Sequence, residues 1–264
     1  MKKILIASGC SFTDENFESS VHPEMICDWP KWPELLSKKL DMDYINLGQN
    51  GAGNEYIYST ILEQILKTKD KSQIGLVIPG WSQCQRKDYQ HGYNGRWHQK
   101  RIDPEGDVFS YLRKDLRYMV SLQLVCERFN IPLVQFQMIN LFDGFISGLM
   151  KTDRERYENR HNPNYESRYK YVPRKSVKED RIQCNKIMLE FEPYIDQEKF
   201  IGWPLSSRIG GFHIEDKTLR YADMEYPNYI YELLVSKLDI HPNAKGQEKI
   251  AEFLYGQLEN RLQK

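Results

Sequence analysis

The chain has 264 residues, with 37 Lys and Arg against 37 Asp and Glu, so it can bury a sizeable core and its zero net charge demands no nucleic-acid or membrane partner. Its five cysteines, Cys10, Cys27, Cys84, Cys126 and Cys184, are odd in number and form no Cys-x-x-Cys pair, which argues against a zinc ribbon or a disulfide framework. The apolar run after Met1-Lys2-Lys3 is too short for a signal peptide and no segment is long enough to span a bilayer, so a cytoplasmic location is expected.

Lys3 to Ala7 reads as a buried parallel strand, apolar on both faces and ended by Ser8-Gly9. A helix is expected over Pro30 to Leu40, with Trp32, Leu35, Leu36 and Leu40 at helical spacing and Pro33 near its start, where a missing amide costs least. Asp43 to Leu47 is a second strand. Gly48-Gln49-Asn50-Gly51-Ala52-Gly53-Asn54 is a glycine-rich turn opening a helix through Ile57, Ile61, Ile65 and Leu66. Ile74 to Pro79 is a third strand, Asp107 to Phe129 a long amphipathic helix, Ile131 to Ile139 a fourth strand and Lys199 to Trp203 a short fifth. Asn243 to Leu262 closes the chain as a helix with Ile250, Ala251, Phe253, Leu254 and Leu258 on its apolar face.

This alternation predicts a single domain over residues 1–264, a three-layer α/β/α sandwich around a mostly parallel sheet of about five strands. Two stretches break the rhythm and read as insertions. Residues 86–106 lack periodicity and are read as a long loop, of a length that is often functional. Residues 151–181 carry ten Lys or Arg against six Asp or Glu, interleaved with Tyr157, Tyr165, Tyr169 and Tyr171. A lid, a partner surface and a solvated excursion are all open for this second stretch, the mixed charge favouring the last.

Ligands of an open parallel sheet bind at the carboxyl ends of its strands. Three turns stand there: Gly9-Cys10-Ser11-Phe12, the glycine-rich turn after the second strand, and Gly80-Trp81-Ser82-Gln83. Near the other end of the chain comes Asp239-Ile240-His241-Pro242-Asn243. A hydroxyl at a tight strand-to-helix turn and an imidazole that can take its proton are the parts of nucleophilic acyl transfer. Each block also has a plainer reading. Gly-Cys-Ser is a turn, His-Pro-Asn starts a helix that Asn can cap, and glycines at a helix N-terminus suit an anion.

Taken together, and in this order, the blocks resemble the SGNH, or GDSL-like, hydrolase family. Its Gly-Asp-Ser appears as Gly9-Cys10-Ser11, its Asn-x-Gly-x-x-Gly as Asn46-Leu47-Gly48-Gln49-Asn50-Gly51, and its His-Pro block as His241-Pro242-Asn243-Ala244-Lys245-Gly246. The resemblance implies a flavodoxin-like fold and a cofactor-free, metal-free ester hydrolase or O-deacylase. Ser11 would be the nucleophile, His241 the base and Asp239 the orienting acid, with the Ser11 and Gly51 amides in the oxyanion hole. The substrate would be a small-molecule or carbohydrate ester; membrane association is not expected and nucleic acid is disfavoured.

The chain departs from the family at three places, the first being Cys10 in place of the Asp of Gly-Asp-Ser. Where the family's third block supplies an oxyanion-binding Asn, this chain has Ser82, with Asn54 or Gln83 as substitutes. The family's Asp lies three residues before its His, where this chain has Leu238; Asp239 is only two before, so a Ser-His dyad and a triad both stand. A catalytically weakened binding module for carbohydrate or polyanion is the alternative. Trp81 and Arg86 are assigned to substrate binding, the latter able to clamp a carboxylate or phosphate. His91 and His98 lack further ligands at metal spacing and are read as surface or substrate-contacting residues.

Overall fold

In the computed structural model, which describes residues 2–93, 95–100, 103, 106–142, 146, 177–221 and 229–262, the central sheet holds five parallel strands. They are β1 (Ile4–Ser8), β2 (Asp43–Asn46), β3 (Ile74–Trp81), β6 (Gln135–Gln137) and β7 (Phe200–Ile201), in the spatial order β2-β1-β3-β6-β7. β1 and β3 sit inside the sheet because β1 is apolar from Ile4 to Ala7 and β3 along its whole length, which suits a strand covered on both sides. Successive side chains then go to opposite layers. Ile6 joins Val77 in one core, while Leu5 and Ala7 join Leu76 and Ile78 in the other.

The helices fill these two layers. α2 (Asn54–Lys67), α3 (Val108–Arg128) and α4 (Val177–Phe191) cover one face through Ile57, Ile61, Leu112, Leu116 and Met188. The other face is covered by α1 (Trp32–Lys39) and α6 (Ala244–Leu262) through Trp32, Leu36, Ile250 and Leu254. The result is the expected α/β/α sandwich. α1 starts with Pro33 in its first turn and α3 starts on a capping box between Asp107 and Ser110, as helix entry chemistry requires. No helix among the described residues is long and apolar enough to cross a membrane, and all five cysteines are buried free thiols.

The fourth strand is shorter than the sequence suggests. Pro132 has no amide to give, and residues before Gln135 touch β3 only through a bridge between Leu133 and Val77. The stretch 86–106 is not simply a loop: it holds a hairpin of β4 (Lys87–His91) and β5 (Arg96–Lys100). Of the stretch 151–181, residues 151–176, with their four tyrosines, lie outside the described residues; from Val177 onwards the chain is α4, packed on α3. A short helix, α5 (Ile214–Thr218), lies between β7 and α6.

Candidate active site

β1 ends at Ser8, and the chain turns at Gly9, where a Cβ would lie 2.2 Å from Thr13 Oγ1. Thr13 and Asp14 close the turn by donating their amides to the Cys10 carbonyl, at 2.8 and 3.2 Å. Asn46, at the end of β2, holds this turn by donating to the Thr13 carbonyl (2.6 Å) while its own side-chain oxygen accepts the Gly48 amide (2.9 Å). Asp14 in turn accepts the Asn50 amide at 2.8 Å. The first and second turns are thereby one rigid unit. α6 grips the same unit, since Gln247 donates to the Phe12 carbonyl at 3.0 Å and accepts the Trp32 amide at 2.8 Å.

His241, on the loop before α6, reaches this unit. Its Nε2 lies 2.8 Å from Ser11 Oγ, and its Nδ1 lies 2.5 Å from Asp239 Oδ1. The same Asp239 oxygen accepts the backbone amide of His241 at 3.1 Å. The second carboxylate oxygen accepts the hydroxyl of Ser19, 220 residues away in sequence, at 2.5 Å. Phe17 lies against the imidazole with ring centroids 4.4 Å apart, and Phe12 meets it edge-on at 5.4 Å. Burial alone would raise the Asp239 pKa, but the His241 ring, the Ser19 hydroxyl and the His241 amide outweigh it and hold this carboxyl below its ordinary value. An ionised Asp239 fixes a proton on Nδ1 and turns Nε2, as an acceptor, towards Ser11.

The amides of Ser11 and Gly51 have no hydrogen-bond acceptor among the described residues. Gly51 has φ of 77°, in the left-handed region that glycine adopts without strain, and a Cβ there would meet nothing within 4 Å. This turn is open to a ligand. Ser82 and Asn54 are placed differently. Asn54 accepts the Ser82 amide at 2.7 Å and donates both its N–H bonds, to the Ser82 carbonyl (3.0 Å) and to Asp115 (2.5 Å), so no donor is left for a substrate oxygen. The Ser82 hydroxyl is buried without a partner among the described residues. This pair locks the end of β3 to the start of α2.

Trp81 is fully buried and donates its indole N–H to Gln135 at 3.1 Å, so it is a core residue rather than a wall of the crevice. The Arg86 guanidinium donates to the Ala52 carbonyl at 2.7 Å and to Gln83 at 3.3 Å, bracing the second turn from behind. His91 and His98 meet edge-on at 5.8 Å on the hairpin. No group of three or more side chains suited to a metal occurs among the described residues.

Three supporting carboxylates escape a reading of motifs. Asp14 is described above. Asp88 accepts the amides of Gly53 and Tyr56, both at 2.9 Å, with a pKa raised chiefly by burial against the opposing pull of those amides. Asp115, under Asn54, is wholly buried, and that burial pushes its pKa up to about 8. Asp115 did carry a signal: it falls between Tyr111, Leu112, Leu116 and Met119 on the apolar stripe of α3. Ser19 carried none.

No protein-family model and no curated protein matches the chain. Among solved structures the chain is similar to a lipolytic protein assigned to the G-D-S-L family from Desulfitobacterium hafniense DCB-2, with 14% identity over 97% of this chain and 99% of that one and a TM-score of 0.47. It is similar to the esterase EstA from Pseudoalteromonas sp., with 12% identity over 99% and 100% of the two chains and a TM-score of 0.49. For the acetyl xylan esterase Est2A from Butyrivibrio proteoclasticus the identity is 12%, over 99% of this chain and 64% of that one, with a TM-score of 0.46. What the site can do follows from its own geometry.

Proposed function

We propose that the chain is a serine ester hydrolase or O-deacylase, with a small-molecule or carbohydrate ester as substrate. The carrying observation is the continuous relay from Ser11 Oγ through both nitrogens of His241 to Asp239, at 2.8 and 2.5 Å. His241 Nε2 takes the Ser11 proton as Oγ attacks the acyl carbonyl, then returns it to the departing alkoxide, leaving an acyl-enzyme. Water repeats the cycle with His241 again as base, releasing the acid. The Ser11 and Gly51 amides are the available donors for the tetrahedral oxyanion, and donors of this kind each contribute about 3 kcal/mol. Asp239 acts as the triad's third member by holding the tautomer.

Ser82 and Asn54 serve this reading as scaffold, which leaves the oxyanion hole with two backbone donors. That reduced hole favours the second reading, a scaffold retained for binding with weakened turnover. One experiment separates them. Wild-type protein should hydrolyse p-nitrophenyl acetate and be labelled by a fluorophosphonate at Ser11, and Ser11→Ala should lose both while keeping its fold. Wild-type protein that neither turns over the ester nor takes the label would sink the hydrolase reading in favour of the binding module.

A further inference from the structure

Two backbone donors of the crevice are open, the amides of Ser11 and Gly51, and neither Ser82 nor Asn54 adds a side chain to them. The residue after Ser82 is placed differently. Gln83 is half-buried, and its side-chain oxygen accepts from Gln85 Nε2 at 3.1 Å and from Arg86 Nη2 at 3.3 Å. A guanidinium only donates, so the oxygen of this carboxamide, and not its nitrogen, must face Arg86. Gln83 Nε2 is thereby turned away from Arg86. It donates to no described residue, and it is not among the polar atoms sealed in the interior without a partner, so it keeps access to a ligand.

The other end of the same guanidinium, Nη1, donates to the Ala52 carbonyl at 2.7 Å. One planar group therefore joins the Gln83 oxygen to the residue that follows Gly51. Asn54 ties the two segments a second time, through the backbone amide and carbonyl of Ser82. Gln49 and Asn50, beside Gly51, have side chains with no such anchor among the described residues. The Gln83 carboxamide is held by two bonds before any ligand arrives, and oxyanion stabilisation depends on donors oriented in advance.

We propose that Gln83 Nε2 is a third donor beside the Ser11 and Gly51 amides, aimed at the acyl oxygen that takes up charge. Its role with that oxygen rests on the hydrolase reading; its place as an anion donor beside the two amides does not. The acyl carbonyl is neutral in the ground state and charged in the tetrahedral state, so the bond acts on kcat more than on KM. The competing role is a brace for Arg86 alone, which an isostere that keeps the oxygen would still fill.

Gln83→Glu is that isostere: it keeps an acceptor for Gln85 and Arg86 and puts a second oxygen in place of the donor. In p-nitrophenyl acetate hydrolysis it should lower kcat about a hundredfold or more and change KM by less than about threefold, as loss of one oxyanion donor does. Urea unfolding like that of the wild type shows that the fold is kept. A kcat within about threefold of wild type overturns the proposal and leaves Gln83 a brace. Where the wild type is inert towards the ester, or Gln83→Glu does not fold, methylphosphonate decides. In a phosphorus NMR titration the wild type should bind this tetrahedral anion, and Gln83→Met, which removes the donor without adding charge, should bind it about tenfold more weakly. That drop in a protein inert towards the ester sinks the hydrolase reading alone. Methylphosphonate that does not bind, or binds Gln83→Met as well as the wild type, overturns the Gln83 donor.

Discussion

Removing the Ser19 hydroxyl should injure both stability and catalysis through a single buried oxygen. Asp239 is almost wholly buried, and its Oδ2 accepts from Ser19 alone among the described residues, whereas Oδ1 is served by the ring and amide of His241. In Ser19→Ala that oxygen keeps its burial and loses its donor. A hydrogen bond to a charged group contributes about 1.5–3 kcal/mol, so a loss of about 2 kcal/mol is expected at pH 7. Part of what holds the Asp239 pKa down also goes. A carboxyl with a depressed folded pKa adds stability above its unfolded value, about 3.9, that is lost as pH falls through the folded value; the variant should therefore lose less on acidification than the wild type. Urea unfolding at pH 7 and near pH 3 gives the stabilities. Steady-state hydrolysis of p-nitrophenyl acetate should show kcat down about tenfold, the rate equivalent of 1.4 kcal/mol, with KM little changed. Ser19→Thr, which keeps a hydroxyl, should recover most of the loss. A Ser19→Ala protein with wild-type stability and wild-type kcat would refute a supporting role for this contact.

Asp239→Asn should lower kcat by up to about 10⁴-fold with a folded protein, because the wrong imidazole tautomer then faces Ser11; activity of Asp239→Asn close to wild type would leave a Ser11–His241 dyad. Asp115 gives the opposite pH signature: its pKa is raised to about 8 by burial, so between about 4 and 8 the unfolded chain has released a proton that the folded one keeps, and stability falls as pH rises. Asp115→Asn should remove that slope, at most about 1.4 kcal/mol per pH unit, and parallel stability curves for the two proteins from pH 4 to 8 would count against it. Gly48→Ala would put a Cβ within 2.7 Å of the Thr13 carbonyl carbon and 2.9 Å of the Asp14 amide. Backbone must move to admit it, at about 1–3 kcal/mol, and displacement of the turn that carries Ser11 should cut p-nitrophenyl acetate turnover by about a hundredfold.

The parts legible in the sequence are those where neighbouring residues answer the same demand. β1 and β3 read as buried parallel strands because both of their faces meet helices, and α2, α3 and α6 show one apolar face each. Ser11 and His241 stand out because turn chemistry marks their positions. The β4–β5 hairpin was not legible: its outward positions hold Lys, Tyr, His and Arg, and its inward ones include Asp88 and Gln99, so the alternation is not one of apolar with polar. Asn54 spends its side-chain N–H bonds on the Ser82 carbonyl and on Asp115, and the Ser82 hydroxyl is buried, so neither fills the donor role the sequence suggests, and only bonds and burial reveal that. Trp81 follows a strand end in the sequence but remains within β3, where its ring belongs to the core.

The two-residue spacing of Asp239 and His241 looked like a weakness and turns out to have its own geometry. An Asp two residues before a His can accept that residue's backbone amide, the local turn that Asp side chains make readily. Here Oδ1 does this while also meeting Nδ1 of the ring, so the loop's own backbone fixes the angle between carboxylate and imidazole. One oxygen then carries both bonds to His241, and the other turns inward, away from water. Left there without a donor it would favour protonation of Asp239 and weaken the tautomer that His241 needs. Ser19 supplies that donor, and His22 secures the arrangement, its amide donating to Ser19 Oγ at 2.9 Å and its ring meeting Ser236 at 2.8 Å. The short spacing and the strap from residues 17–22 are therefore parts of one device. Lengthening the Asp-His spacing while keeping the strap, or removing the strap while keeping the short spacing, should each lower p-nitrophenyl acetate turnover more than the two changes together.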